Sequence, residues 1–160
     1  MTKHGHGSMT FKFGYGPFKT PITVHAGPIT MAPSDMLAVN LRAEAPEHGN
    51  YFFPIKDFSI PLVPQTMDLM ENLLSAGINR GELYVGCAGG TGRTGLILAM
   101  FARVASDDPP VSAVRAAYKK HAVETSEQME FVHSFPPNWI ASLKSDANRA
   151  GAKRFFTRFF

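Results

Sequence analysis

A chain of 160 residues, 44% hydrophobic with 12 prolines and 14 glycines, suits one domain with a single core and many turns between short elements. One cysteine rules out an intrachain disulfide, and no apolar run of about 18 residues is present to form a membrane-spanning helix. The formal charge of +3 is uneven: residues 144–160 hold five bases and one acid, so the basic character belongs to the C-terminus and not to a nucleic-acid-binding face.

The opening MTKHGHGSMTFKFGYG lacks the apolar core of a signal peptide, and with no disulfide to protect, a reducing cytoplasm is the expected setting. Residues 1–20 read as an N-terminal extension, of which 1–8, with the tract HGHGS, resemble a cloning remnant or a weak metal-binding tract. Three short strands follow, in PITVHAGPITM, MLAVNLRAE and NYFFPI, each apolar and bounded by turn formers. PQTMDLMENLLSAG predicts a helix with Leu69, Met70, Leu73 and Leu74 on one face and Gly77 as its stop. GELYVG is a brief strand and TGLILAMFARVAS a helix apolar on all sides. PPVSAVRAAYKKH starts a further helix with proline in its first turn. TSEQMEFVHSF carries Thr125 and Gln128 at capping-box spacing. Strands alternating with helices imply an α/β fold, a central mostly parallel sheet flanked by helices. The main domain is expected over 21–145. Residues 146–160 form a basic aromatic tail, read as a last helix packing Phe155, Phe156, Phe159 and Phe160 on the core, with docking to an anionic membrane or a partner as the alternative.

Between the fourth strand and the second helix lies CAGGTGRTG, residues 87–95. Gly90–Gly95 matches G-x-G-x-x-G, but no strand ending in an acid follows about 20 residues later to hold a ribose. A nucleoside-triphosphate loop would need glycine at Cys87 and lysine at Arg93. A third reading uses every residue. Small residues let the backbone N–H groups converge on one point, and the following helix adds its N-terminal dipole, so the loop is an anion site. A sulfur placed there is favoured as thiolate. Arg93 offers a planar fork for two phosphate oxygens, and Thr94 can donate a hydrogen bond to the sulfur. The bland alternative is that Cys87 is a small buried hydrophobe.

The loop resembles the signature loop of the cysteine-dependent protein tyrosine and dual-specificity phosphatases. Asp57-Phe-Ser-Ile-Pro61 matches in spacing the D-x-x-x-P pattern of their mobile acid loop, and AVETSEQMEFVH resembles their glutamine-bearing segment. This order differs from that of the low-molecular-weight phosphatases, whose cysteine loop lies near the N-terminus. The resemblance implies a compact dual-specificity-like phosphatase with no cofactor and no metal. It implies Cys87 as nucleophile, Asp57 as general acid and then base, and Arg93 with the amides of Ala88, Gly89, Gly90, Thr91 and Gly92 as phosphate ligands. Thr94 would assist the sulfur, and Gln128 would orient the attacking water, although the capping box accounts for Gln128 equally well. Two departures stand out: Gly86 replaces the usual histidine before the cysteine, and Ile55-Lys56 replaces the Trp-Pro found before the acid in tyrosine-specific members. A phosphate-binding pseudophosphatase is therefore a second reading. A phosphorylated protein is the expected substrate, with phosphoinositides and RNA 5′ ends as alternatives.

Overall fold

The computed structural model describes residues 4–160; the expectation of a remnant at 1–8 falls partly on residues 1–3, outside that range. Among the described residues, five strands form one sheet: β1 (Gly7–Tyr15), β2 (Phe18–Pro28), β3 (Ala38–Arg42), β4 (Tyr51–Ile55) and β5 (Glu82–Cys87). Their spatial order is β1-β2-β5-β3-β4. The β1–β2 hairpin is antiparallel and every other pairing is parallel, which is the α/β, mostly parallel architecture the alternation implied. Five α-helices follow: α1 (Val63–Arg80), α2 (Gly92–Ala105), α3 (Pro110–Ala117), α4 (Ser126–Ser134) and α5 (Pro137–Phe159).

One face of the sheet carries nearly all the core. Ile22, Val24 and Ala26 of β2, Val39 and Leu41 of β3, and Leu83, Val85 and Cys87 of β5 alternate onto it and meet apolar residues from all five helices. The opposite face holds only a small cluster of Ile29, Met36, Ala38 and Tyr84, covered by the segment after β2. Each fully buried aliphatic side chain contributes about 1.5–3 kcal/mol. Helix α2, buried along almost its whole length, fits its all-round apolar sequence.

Four expectations need correction, the last of them at the end of α5. Residues 7–15 are not an extension beside the domain but strand β1: Phe11 and Phe13 are buried, Phe11 pairs with Ile22 across the hairpin, and its ring stacks on Phe101 at 5.5 Å. The alternation of Met9, Phe11 and Phe13 with Thr10 and Lys12 was already a strand signal. Helix α1 passes through Gly77 and stops at Gly81, whose left-handed φ of 87° is the usual glycine stop. The tail is no separate element either, because α5 starts at Pro137 and runs to Phe159.

Helix α5 docks at Gly151, whose carbonyl accepts from the buried Thr20 hydroxyl at 2.7 Å. A Cβ there would stand 2.1 Å from the Phe13 carbonyl oxygen, so Gly151→Ala should push α5 off the hairpin and cost about 1–3 kcal/mol, read as a lowered melting temperature. Beyond that point the helix leaves the core. Phe155 is half-buried, while Phe156, Phe159 and Phe160 are 44%, 63% and 86% exposed, contrary to the expectation that all four pack inside.

Candidate active site

Cys87 is the last residue of β5, at the C-terminal edge of the parallel strands, where the chain turns into α2. This is where open α/β sheets place their ligands. Cys87 is 3% exposed, and its sulfur accepts two hydrogen bonds, from the Thr94 hydroxyl at 3.1 Å and from the Gly90 amide at 3.2 Å. Gly90 has φ 73°, and a Cβ on it would lie 2.5 Å from the backbone of Gly27, so the loop curls only because glycine stands there. Helix α2 begins after Thr91 with no side chain capping its first amides, leaving donors that an anion can use. Ala88 and Gly89 are exposed at the mouth of the loop, while Gly92, Arg93 and Thr94 are buried.

Gly86 has a structural cause. A Cβ at this position would sit 2.7 Å from the Ile29 Cα, so no histidine fits before the cysteine. Other groups order the loop in its place. The Tyr118 hydroxyl donates to the Gly90 carbonyl, and the Lys119 ammonium donates to the Gly89 carbonyl at 3.0 Å. Burial, and then negative charge on Cys87, raise the Tyr118 pKa above its usual 10, so this phenol stays a donor. Burial lowers the Lys119 pKa, partly opposed by Cys87 and Glu124. AAYKKH gave no sign of these roles, since it read as a continuing helix. In fact α3 ends at Ala117, which turns Tyr118 and Lys119 toward the loop. Glu124 also lies close, its Oε1 within 2.4 Å of where a Gly92 Cβ would be.

Arg93 is 2% exposed. Its Nη1 donates to Glu44 Oε1 at 2.6 Å and to the Ile55 carbonyl at 2.9 Å, and its Nη2 donates to Glu44 Oε2 at 2.9 Å. Nη2 also lies 3.5 Å from Asp57 Oδ1. Its Nε is buried with no partner. Glu44 was missed from sequence, where it looked like the frayed end of a strand. The loop that presents it is organised by buried Asn40, which donates to the Ala45 and Glu47 carbonyls and accepts from the Arg42 amide. An asparagine inside an apolar strand was the available signal.

The Arg93 partner dominates Glu44: their hydrogen bond brings the carboxyl down to about 2 from 4.5, against a smaller opposing effect of burial. For Arg93 itself burial, the largest single effect, works against the charge, yet Glu44, negative charge on Cys87 and Asp57 together outweigh it and the pKa rises. A carboxyl lowered in the fold contributes stability above its unfolded value and loses it as pH falls through the folded value. Glu44→Gln should therefore melt below the parent at pH 7, by on the order of 1 kcal/mol because Glu44 is 48% exposed and screened. The gap should close between about pH 4.5 and about pH 2, as followed by thermal melts across that range.

Asp57 follows β4, half exposed, and caps the Phe58 amide at 3.0 Å. The structure thus brings Cys87, Arg93, Thr94, Asp57 and the loop amides to one place. It gives Gln128 a different task from the one the resemblance implied. Fully buried, its Oε1 accepts from the amides of Glu124 and Thr125, and its Nε2 donates to the Ser59 carbonyl at 3.2 Å. With Thr125 accepting from the Gln128 amide, the capping box is complete. The amide oxygen and one N–H of Nε2 are used by protein, and the side chain closes α4 onto the Asp57 segment.

Residues 30–148 match the model of the PTP-SAK family, described as a Swiss Army Knife protein, DSP-PTPase phosphatase domain. The chain belongs to the PTP-SAK family. Two relatives from Methanocaldococcus jannaschii, the uncharacterized proteins MJECL20 and MJ0215, are 41% and 42% identical to it over 52% and 51% of this chain. The PTP-SAK chain spans about half the length of these curated relatives, 57% and 51% respectively. The crystal structure of Tk-PTP in the active form superposes with TM-score 0.54 at 26% identity, over 63% of this chain and 78% of that one. Kinase associated phosphatase, solved with its catalytic cysteine replaced by serine, gives TM-score 0.59 at 17% identity over 84% and 97%, a likeness of fold. The PTP-SAK fold here is that of a compact dual-specificity-type phosphatase, and its signature loop lies inside the matched segment.

Proposed function

We propose that this domain hydrolyses phosphate monoesters on phosphorylated proteins, at tyrosine or at serine and threonine, through a phosphocysteine intermediate. The observation that carries the reading is the Arg93 fork beside Cys87: Glu44 and Ile55 occupy its outer donors, and its buried Nε is without a partner. A buried donor without an acceptor costs about 1–3 kcal/mol, and a phosphate oxygen in the loop would satisfy it.

In the first step the Cys87 sulfur attacks phosphorus in line. The P–S bond forms as the bond to the alcohol oxygen breaks, and Asp57 gives its proton to that oxygen. The amides between Ala88 and Arg93 other than that of Gly90, which is bonded to the sulfur, hold the equatorial oxygens with the Arg93 fork as charge develops on them. In the second step water attacks phosphorus and loses a proton to the Asp57 carboxylate, while the sulfur leaves as thiolate, stabilised by the Thr94 hydroxyl and the Gly90 amide. Loop positions Ala88 to Gly92 bring no charge of their own to select a polyphosphorylated headgroup. Phe58, 60% exposed beside Asp57, offers an apolar wall to a peptide side chain. Both features support a phosphoprotein.

The test is an assay across an aryl phosphate, phosphotyrosyl and phosphoseryl peptides, a phosphoinositide and a 5′-triphosphorylated RNA. Turnover of the phosphopeptides above the other natural substrates is expected. Phosphopeptide binding with no turnover of any compound would establish a pseudophosphatase instead, and preference for the lipid or the RNA would move the substrate class.

A further inference from the structure

The aromatic end of α5 is the largest feature that the chemistry at Cys87 leaves unused. At 3.6 residues per turn, Phe155, Phe156, Phe159 and Phe160 share one arc, with Lys153 at one edge and Arg158 at the other. The rings pack on one another and on Phe18 from the hairpin: Phe18 to Phe156 is 4.8 Å and Phe155 to Phe159 is 4.9 Å between centroids. Phe18 is 37% and Tyr15 53% exposed, and Lys19, Lys153 and Arg158 are exposed around them. Neither Tyr15–Lys19 nor Lys153–Phe160 contains an acidic residue. We propose that this patch is a docking surface for anionic lipid bilayers.

The two halves of the patch match the two layers of a membrane interface. Exposed phenylalanines transfer from water into the headgroup–acyl boundary, and flanking bases meet the lipid phosphates and carboxylates. Charge decides for a bilayer of anionic lipid. A self-associating copy would bring Lys153, Arg158 and Lys19 against their own kind with no acid in the patch to pair them, and like charges juxtaposed at an interface are unfavourable. The cluster is preformed, because two elements distant in sequence hold its rings before any membrane arrives, so little ordering cost is left to binding.

Topology fixes what the docked protein can reach. Phe18 opens β2, and Pro28 at the far end of that strand pairs with Cys87, so the patch and the catalytic loop lie at opposite edges of the sheet, roughly 30 Å apart at about 3.3 Å per residue. The membrane therefore serves as a place to work and not as the substrate: the loop faces away from the lipid it sits on.

Co-sedimentation of the full chain with phosphatidylcholine vesicles, with and without a minority of phosphatidylserine, is the test. Binding to the phosphatidylserine vesicles that weakens with added salt is expected, with little binding to the neutral ones. Lys153→Gln with Arg158→Gln should weaken it about 25-fold, at about fivefold per charge, and Phe156→Ser with Phe159→Ser should reduce it at least as much. Because these positions are distant from Cys87, both double variants should keep the parent's aryl phosphate turnover, and the charge variant, at two exposed positions, should also keep its melting temperature, whereas the phenylalanine variant loses the packing of Phe156 on Phe18 and should melt lower. Equal binding to neutral and anionic vesicles, no binding to either, or a dimer in sedimentation equilibrium that the phenylalanine variant dissolves would each overturn the proposal.

Discussion

Cys87→Ser is expected to remove turnover of every phosphate ester, by on the order of 10⁴-fold or more, without loss of the fold. A serine hydroxyl keeps its proton near neutral pH, and no group placed here within reach of the sulfur takes it: Thr94 and Gly90 both donate toward that position, and Tyr118 is held protonated. The residue is nearly isosteric and sits at a strand end, so the melting temperature should change little and the variant should still bind phosphopeptide through Arg93. Burst kinetics and trapping of the acid-quenched intermediate with labelled substrate make the comparison direct. Residual turnover within tenfold of the parent would exclude a phosphocysteine route.

Asp57→Asn should divide substrates by their leaving group. A phosphopeptide needs a proton delivered to its departing oxygen and should lose about 10²-fold or more, whereas an activated aryl phosphate, whose phenolate leaves unaided, should lose clearly less. The same substitution removes a negative charge 3.5 Å from Arg93 Nη2, so part of any effect could reach KM through the phosphate site. Measuring kcat and KM separately on both substrates resolves this: an acid affects kcat in proportion to leaving-group basicity, and a phosphate-site effect does not. An equal loss of kcat on both substrates would assign the proton to another group. Glu44 is committed to Arg93, so Glu124, the other carboxylate placed beside the loop, would be the residue to change next.

The order of strands and helices from residue 21 to α4 was legible because each segment carries its own period, but the stops were less so: Gly77 stood in for Gly81, α3 was carried past Ala117, and the start of α5 at Pro137 was not read. The Cys87 loop was legible because an anion site at a helix N-terminus needs small residues in a row and one cysteine among them is conspicuous. What sequence could not show are groups that act through tertiary approach. Glu44, Tyr118 and Lys119 look like ordinary surface residues until β3, α3 and the loop are folded together. Gly86 looked like a lost histidine, and only the position of Ile29 shows that there is no room for one. Gln128 was ambiguous for a related reason: the capping box is local and readable, whereas its bond to Ser59 spans 69 residues. The tail misled because an aromatic arc has the same pattern whether it faces the core or the solvent, and what decides is that α5 outruns the hairpin it packs on.

The bond from Gln128 to Ser59 also sets an equilibrium. Releasing the Asp57 segment strips the buried Gln128 amide of its acceptor, at about 1–3 kcal/mol, which favours the closed form. Against it stands Phe58, held at φ 59°, a left-handed conformation that costs a bulky residue about 1–3 kcal/mol and that a released segment can relax. The two terms are of one size and opposite sign. The bond and the strained residue thus act in opposite directions on the segment that carries Asp57, so Gln128→Ala should loosen it and Phe58→Gly should relieve its strain.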